Sequence, residues 1–166
     1  MATEWVSETD AWAHPELGFS EPLTLPEHGY VSLNRARHGT GRLTQSMRPV
    51  SAYHDLRADF RGGADVYVSQ NVFNGRSRRC IDVAAVTSVW VDLDIYRSRA
   101  ARLPPATTAA EVLARCDAMS VPRPTAVVFS GRGLYAKWAL TTPQPKTALV
   151  RQVAVNRALA HAFADL

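Results

Sequence analysis

The sequence predicts an α+β domain built on a split β-α-β-β sheet of the ferredoxin or RRM-like kind, with helices on one face. Three observations carry this expectation. An apolar strand over residues 88–95 is followed, beyond a Pro-Pro loop, by a stretch with helical spacing. Two further strand-like runs, 125–130 and 134–141, flank a Gly-x-Gly turn. The chain has 166 residues, 46% of them hydrophobic, which suits one domain with a sizeable core.

Residues 1–28 are rich in Pro, Glu and Thr and read as an irregular arm anchored by Trp5 and Trp12, leaving 29–166 as the domain proper. Tyr30-Val31-Ser32-Leu33 is a short strand candidate and Gly39-Thr40-Gly41 a turn. Asp65 to Ser69 alternates as a strand does after the Gly62-Gly63 break, and Asn74-Gly75 is a strong turn signal. Past Pro104-Pro105, Thr108 and Glu111 fit a capping box, and Val112, Leu113, Cys116 and Met119 recur with helical spacing. In the strand 134–141, Leu134, Ala136, Trp138 and Leu140 share one face, while Tyr135 and Lys137 share the other. From Lys146 onward Leu149, Val150, Val153, Leu159 and Phe163 outline a helix reaching Leu166. That helix lacks a Gly C-cap and carries Asp165 at the unfavourable end of its dipole, so the sequence is expected to stop short of its domain boundary.

Charge is unevenly spread. The net charge is +4, and 17 of the 19 basic residues are Arg, a bias that a GC-rich genome also produces. Between Arg35 and Arg79 nine arginines face three acids (Asp55, Asp59, Asp65), a local +6. Such a basic region suits a polyanion, and equally a solvated surface. Cys80 and Cys116 show no metal or disulfide spacing. The five histidines show no pairing that would argue for zinc or for a relaxase-type His pair. The first residues carry no signal-peptide pattern and no run approaches a membrane span, so the expectation is a cytoplasmic protein.

The chemistry gathers in two segments. Val89-Trp90-Val91-Asp92-Leu93-Asp94 is an apolar strand ending in two carboxylates one residue apart, which leave the same face. Like charges held so close raise one another's pKa unless a cation sits between them, and Mg²⁺ or Mn²⁺ prefers such oxygens. Ser130-Gly131-Arg132-Gly133 is a turn able to present backbone N–H groups and a guanidinium to an anion. Read blandly, these are a solvated strand end and a hairpin turn. Found together on one sheet, they favour metal-assisted phosphate chemistry.

With these residues in place, the chain resembles the archaeo-eukaryotic-type primases (primase-polymerases), in the branch found on plasmids, phages and other mobile elements. The resemblance spans residues 65–166. The run Tyr67 to Phe73 followed by Arg78-Arg79 resembles the strand and basic turn before the family's first motif. Val91-Asp92-Leu93-Asp94 resembles that Asp-x-Asp motif, and Ser130-Gly131-Arg132-Gly133-Leu134-Tyr135 the second motif, usually Ser-Gly-x-Gly-x-His. The resemblance implies nucleotidyl transfer in replication initiation: primer synthesis or extension on a single-stranded DNA template. Asp92 and Asp94 would be catalytic metal ligands for Mg²⁺ or Mn²⁺. Ser130, Gly131, Arg132, Gly133, Tyr135 and Lys137 would bind the incoming nucleotide, and Arg76, Arg78 and Arg79 the nucleic acid. A helicase is a candidate partner. Two departures stand out. Tyr135 replaces the usual His and cannot carry positive charge near neutral pH. The family's third acidic motif has no counterpart after Tyr135, since Asp165 lies in the last helix. Two other functions therefore stand beside the first: a non-catalytic nucleic-acid-binding remnant of such an enzyme, and a metal-dependent nuclease or phosphodiesterase.

Overall fold

The computed structural model describes residues 24–37, 43–60, 64–98, 101, 103–129 and 133–166. Most of the N-terminal arm, including Trp5 and Trp12, and the turn at Gly39-Thr40-Gly41 lie outside the described residues. In chain order the elements are β1 (Tyr30–Arg37), β2 (Leu43–Pro49), a 3-10 segment (Val50–Phe60), β3 (Ala64–Val68), β4 (Asn71–Phe73) and β5 (Val83–Leu93). There follow α1 (Pro105–Ala118), β6 (Ala126–Phe129), β7 (Leu134–Pro145) and α2 (Leu149–Ala162). The architecture is α+β, as the sequence predicts.

Seven strands form one sheet in the order β2-β1-β4-β5-β7-β6, and β3 also pairs with β1. The pairings are antiparallel. β3 and β4 follow one another along the same edge of β1: Val68 stands opposite Leu33, and Phe73 opposite Tyr30. β7 lies between β5 and β6, antiparallel to both.

Two hydrophobic clusters hold this sheet. One joins Val91 and Leu93 of β5, Leu134, Ala136 and Trp138 of β7, Val112 and Cys116 of α1, and Leu159, Phe163 and Leu166 at the C-terminal side. Both helices therefore cover one face of β5 and β7, where alternation places the apolar side chains. The Trp138 indole completes its burial by donating Nε1–H to the Pro122 carbonyl (2.6 Å). The second cluster sets Val31 and Leu33 of β1 and Val72 of β4 against Val50, Tyr53 and Leu56 of the 3-10 segment. Where β1 begins, Gly29 has φ +128°, and a Cβ there would meet Val72 Cγ1 at 2.4 Å. Only glycine fits.

The structure departs from the sequence reading at several elements. β2, β4 and the 3-10 segment were not expected, and β1 runs on to Arg37. The capping box is absent: α1 begins at Pro105, with Thr108 already inside the helix, fully buried and its hydroxyl unpartnered. Pro at the first helical position pre-sets φ and moves the start one turn earlier. α1 ends instead through a Schellman motif, with Ser120 left-handed (φ 54°) and Val121 N–H returning to the Cys116 carbonyl (2.9 Å). α2 stops at Ala162 rather than Leu166. Val150 and Val153, placed in the core by spacing, are 81% and 42% exposed, while Gln152 is buried.

Candidate functional site

Because Val91 and Leu93 point into the helical cluster, Trp90 and Asp92 leave the opposite face of the sheet. On β7 the same alternation sends Tyr135 and Lys137 to that face. Register then matches them: Asp92 stands opposite Tyr135, and Trp90 opposite Lys137. The Tyr135 hydroxyl donates a hydrogen bond to the Asp92 carboxylate. Lys137 Nζ sits 5.9 Å from the centre of the Tyr135 ring, at the outer range of a cation–π contact.

This pairing sets the electrostatics. Partial burial pushes the Asp92 carboxyl above its ordinary value, the hydrogen bond from Tyr135 works in the other direction, and the charge of Asp94 adds to the rise. Tyr135 is pushed up to about 12, first by burial, then by the Asp92 charge and by its bond to that carboxylate, with Tyr67 near enough to contribute. Tyr135 thus holds its proton throughout the physiological range.

Asp94 lies just past the end of β5, where the chain turns into a short 3-10 segment (Ile95–Arg97). Both carboxylates are exposed, with buried Leu93 between them. They border a cleft of about 230 Å³ whose far wall is formed by Ala160, Phe163, Ala164 and Leu166. Two neighbouring carboxylates open to solvent fit a hard divalent cation that keeps water or phosphate on its remaining positions. Among the described residues no group of three or more His, Cys, Asp or Glu stands together. The donors present are therefore two.

Of the expected phosphate turn, Ser130, Gly131 and Arg132 lie outside the described residues. Its flanks are well placed: Phe129 pairs with Leu134, and Leu134 in turn with Leu93, next to Asp94. Gly133 is buried at the start of β7. The basic turn is not brought to the acids. Arg76, Arg78 and Arg79 precede β5, and Val83 to Asp92 spans about 30 Å of strand at roughly 3.3 Å per residue. Arg79 turns to Asp82 (Nε to Oδ2 2.9 Å), and that bond holds the Asp82 carboxyl below the usual range. Arg78 reaches back over the sheet, donating from Nη1 to Asn34 Oδ1 (2.9 Å).

Sequence reasoning missed a polar seam beside the site. β4 pairs with β5 only as far as Val86, and beyond that point α2 takes over the strand edge. Gln152 Nε2 donates to the Ser88 carbonyl (2.7 Å), and Asn156 Oδ1 accepts from Trp90 N–H (3.0 Å). Gln152 also exchanges amide bonds with Asn71 (2.8 and 3.0 Å). The backbone two residues before Asp92 is thereby pinned by a helix. A signal was present: Gln152 and Asn156 are one turn apart, where the apolar stripe of α2 is interrupted.

No family model matches the chain, and no curated protein matches it in sequence. Among solved structures it is similar to the AEP domain of the Cyanophage S-2L primase-polymerase (PrimPol), with a TM-score of 0.53 at 13% identity. The chain shares that fold. The match covers 80% of this chain and 65% of the phage domain, so the chain spans about two thirds of that domain's length.

Proposed function

We propose that this chain carries the acidic and nucleotide-facing part of a nucleotidyl-transfer site of the primase-polymerase kind, serving replication initiation on a mobile element. The observation behind it is the pairing of Asp92 with Tyr135 on the open sheet face, with Asp94 alongside, in a fold shared with a phage primase-polymerase domain. The position of β7 between β5 and β6 supports the RRM-like split arrangement.

In this reading Asp92 and Asp94 hold Mg²⁺ or Mn²⁺, which when bound activates an attacking 3′-hydroxyl and offsets charge on the transferring phosphate. Tyr135 fixes the Asp92 carboxylate through its hydroxyl rather than contacting phosphate as a charged His would. Lys137, on the same face, supplies the positive charge that Tyr135 lacks. Ser130, Gly131, Arg132 and Gly133 cradle the triphosphate of the incoming nucleotide. Arg76, Arg78 and Arg79 bind the single-stranded template, and a helicase is the natural partner of such an activity.

The experiment is incorporation of a single nucleotide into a primed single-stranded template with Mn²⁺. Extension that is lost in Asp92→Asn supports the reading, and shortening of the labelled strand instead identifies a nuclease. The two-carboxylate donor set favours one further reading, a non-catalytic binding module. In that case template binding persists in Asp92→Asn/Asp94→Asn and no nucleotide is added by any variant.

A further inference from the structure

We propose that Asn156 is a positioning residue for the carboxylate end of β5: by accepting the Trp90 N–H it sets where Asp92 and Asp94 stand and how far the cleft beside them opens. The inference deepens the nucleotidyl-transfer reading, on which it rests for the metal that the two carboxylates hold.

As far as Val86, β5 has a strand on each side; beyond it β7 continues and β4 has ended. Residues of an antiparallel strand direct their main-chain groups alternately to either side, and each directs its N–H and C=O the same way. The Ser88 carbonyl and the Trp90 N–H both meet α2, so Asp92, two residues on, turns its N–H and C=O to that edge as well. The helix keeps step with the strand. Four helical residues advance about 6 Å and two strand residues about 6.6 Å, so Gln152 falls beside Ser88 and Asn156 beside Trp90. The next rung sets position 160 beside Asp92, and the residue there is alanine, with no side-chain polar group to offer. Asn156 is thus the last clamp before the carboxylates.

An Asp side chain is short, so its carboxylate goes where the backbone goes. Without the Asn156 bond, the stretch from Trp90 to Leu93 is hydrogen-bonded, among the described residues, to β7 alone, and the last tie to α2 retreats to Ser88. The same bond governs the cleft. Asp92, Leu93 and Asp94 form one wall, while Ala160, Phe163 and Ala164, on α2 or just past it, form the other. A shift of the helix against the strand therefore changes the place of the carboxylates and the width of the cleft together.

The two amides of the seam divide the work. Gln152 is buried and makes three bonds, one to Ser88 and two to Asn71, so it ties the helix to β4 as much as to β5. Asn156 is half-buried, and its oxygen goes to the residue midway between Ser88 and Asp92. Its value then lies in geometry. Mg²⁺ requires near-octahedral oxygens at about 2.0–2.1 Å, whereas Ca²⁺ accepts looser arrangements at about 2.3–2.6 Å. A clamp on the backbone that carries the carboxylates therefore shows itself as discrimination between the two ions, which a residue that only adds stability does not supply.

The test titrates Mn²⁺, Mg²⁺ and Ca²⁺ into the full chain by calorimetry, with urea unfolding of each variant alongside. Asn156→Ala is expected to weaken Mn²⁺ binding about tenfold, the lower end for residues that orient metal ligands, and to weaken Mg²⁺ more than Ca²⁺. Asn156→Asp keeps an acceptor for the Trp90 N–H and is expected to restore the wild-type ratio of Mg²⁺ to Ca²⁺ affinity. Val112→Ala, a core truncation on α1, is expected to lower the urea midpoint and leave that ratio in place. An unchanged ratio in Asn156→Ala, no rescue in Asn156→Asp, or an equal fall in Val112→Ala overturns the proposal. Should Asn156→Ala not fold, hydrogen exchange of the wild-type chain decides, because a clamp that favours metal binding is itself tightened by the metal. Protection of the Trp90 amide that rises with Mn²⁺ supports the proposal, and a rise confined to residues past Asp92 overturns it. If the wild type and Asp92→Asn/Asp94→Asn take up Mn²⁺ alike, the nucleotidyl-transfer reading fails and this inference with it. If those two differ and Asn156→Ala matches the wild type, this inference alone fails.

Discussion

At the scale of single residues, the Asp92–Tyr135 pair couples two protonation equilibria. Tyr135 has a folded pKa of about 12 against an ordinary 10, so the folded chain holds that proton more tightly than the unfolded chain. Its contribution to stability is complete below about pH 10 and is lost as pH climbs through 12. Asp92 also has a raised value, the reverse of the usual case for a carboxylate. Its contribution is present below its ordinary 3.8 and disappears as pH rises above it, so the charged form is held at a cost at neutral pH. Strain of this kind is common where a carboxylate is kept for chemistry. Replacing Asp92 by Asn removes the second and third causes of the Tyr135 shift, the Asp92 charge and the bond to its carboxylate, and leaves burial, the largest. Phenolate absorbance is expected to show the Tyr135 pKa falling from about 12 while staying above 10. An unchanged value would mean that the two side chains do not interact. Alternation alone put Tyr135 and Lys137 on one face in the sequence. Their partner across the strand was not legible, because register is set by turns and bulges that composition does not encode.

At the scale of elements, α2 shows where pattern reading works and where it fails. Leu159 and Phe163 are buried as their spacing implies, whereas Val150 and Val153 face outward. The helix is aligned not by its apolar residues alone but by Gln152 and Asn156, which satisfy the β5 edge where β4 has ended. Buried polar groups must be paired, and that demand outweighs burial of two valines. Gln152→Leu is therefore expected to cost about 1–3 kcal/mol in urea unfolding, since Asn71 and the Ser88 carbonyl are left unpaired. A loss of a few tenths would show the seam to be solvated rather than structural. The missed start of α1 has a similar origin. Thr108 and Glu111 have capping-box spacing, but Pro105 at the first helical position fixes the boundary earlier, and a Thr with the right spacing is not a cap once it lies inside the helix.

For the whole molecule, the half from β5 onward was largely readable and the first half was not. β5, α1, β6, β7 and α2 have long apolar periodicities bounded by Pro and Gly, so their existence and order follow from the sequence. β2 and β4 are short or mostly exposed strands whose pairing with β1 and β5 supplies what their composition lacks. Asp92 and Asp94 stand out in the sequence because two carboxylates closing an apolar strand are unusual, and both are exposed at the end of β5. The seam was not found, since it arises where β4 stops pairing with β5 at Val86 and α2 takes over the strand edge. The helices cover one face of β5 and β7, and Asp92, Tyr135 and Lys137 stand on the other.

The central claim is that Asp92 and Asp94 bind a metal–nucleotide pair on that face. Calorimetric titration of Mn²⁺ with dATP into the full chain, beside Asp92→Asn/Asp94→Asn, tests it most directly. The account expects saturable binding of metal and nucleotide together in the wild type and its loss in the double variant. Equal heats from both chains, each shown to be folded by circular dichroism, would contradict it.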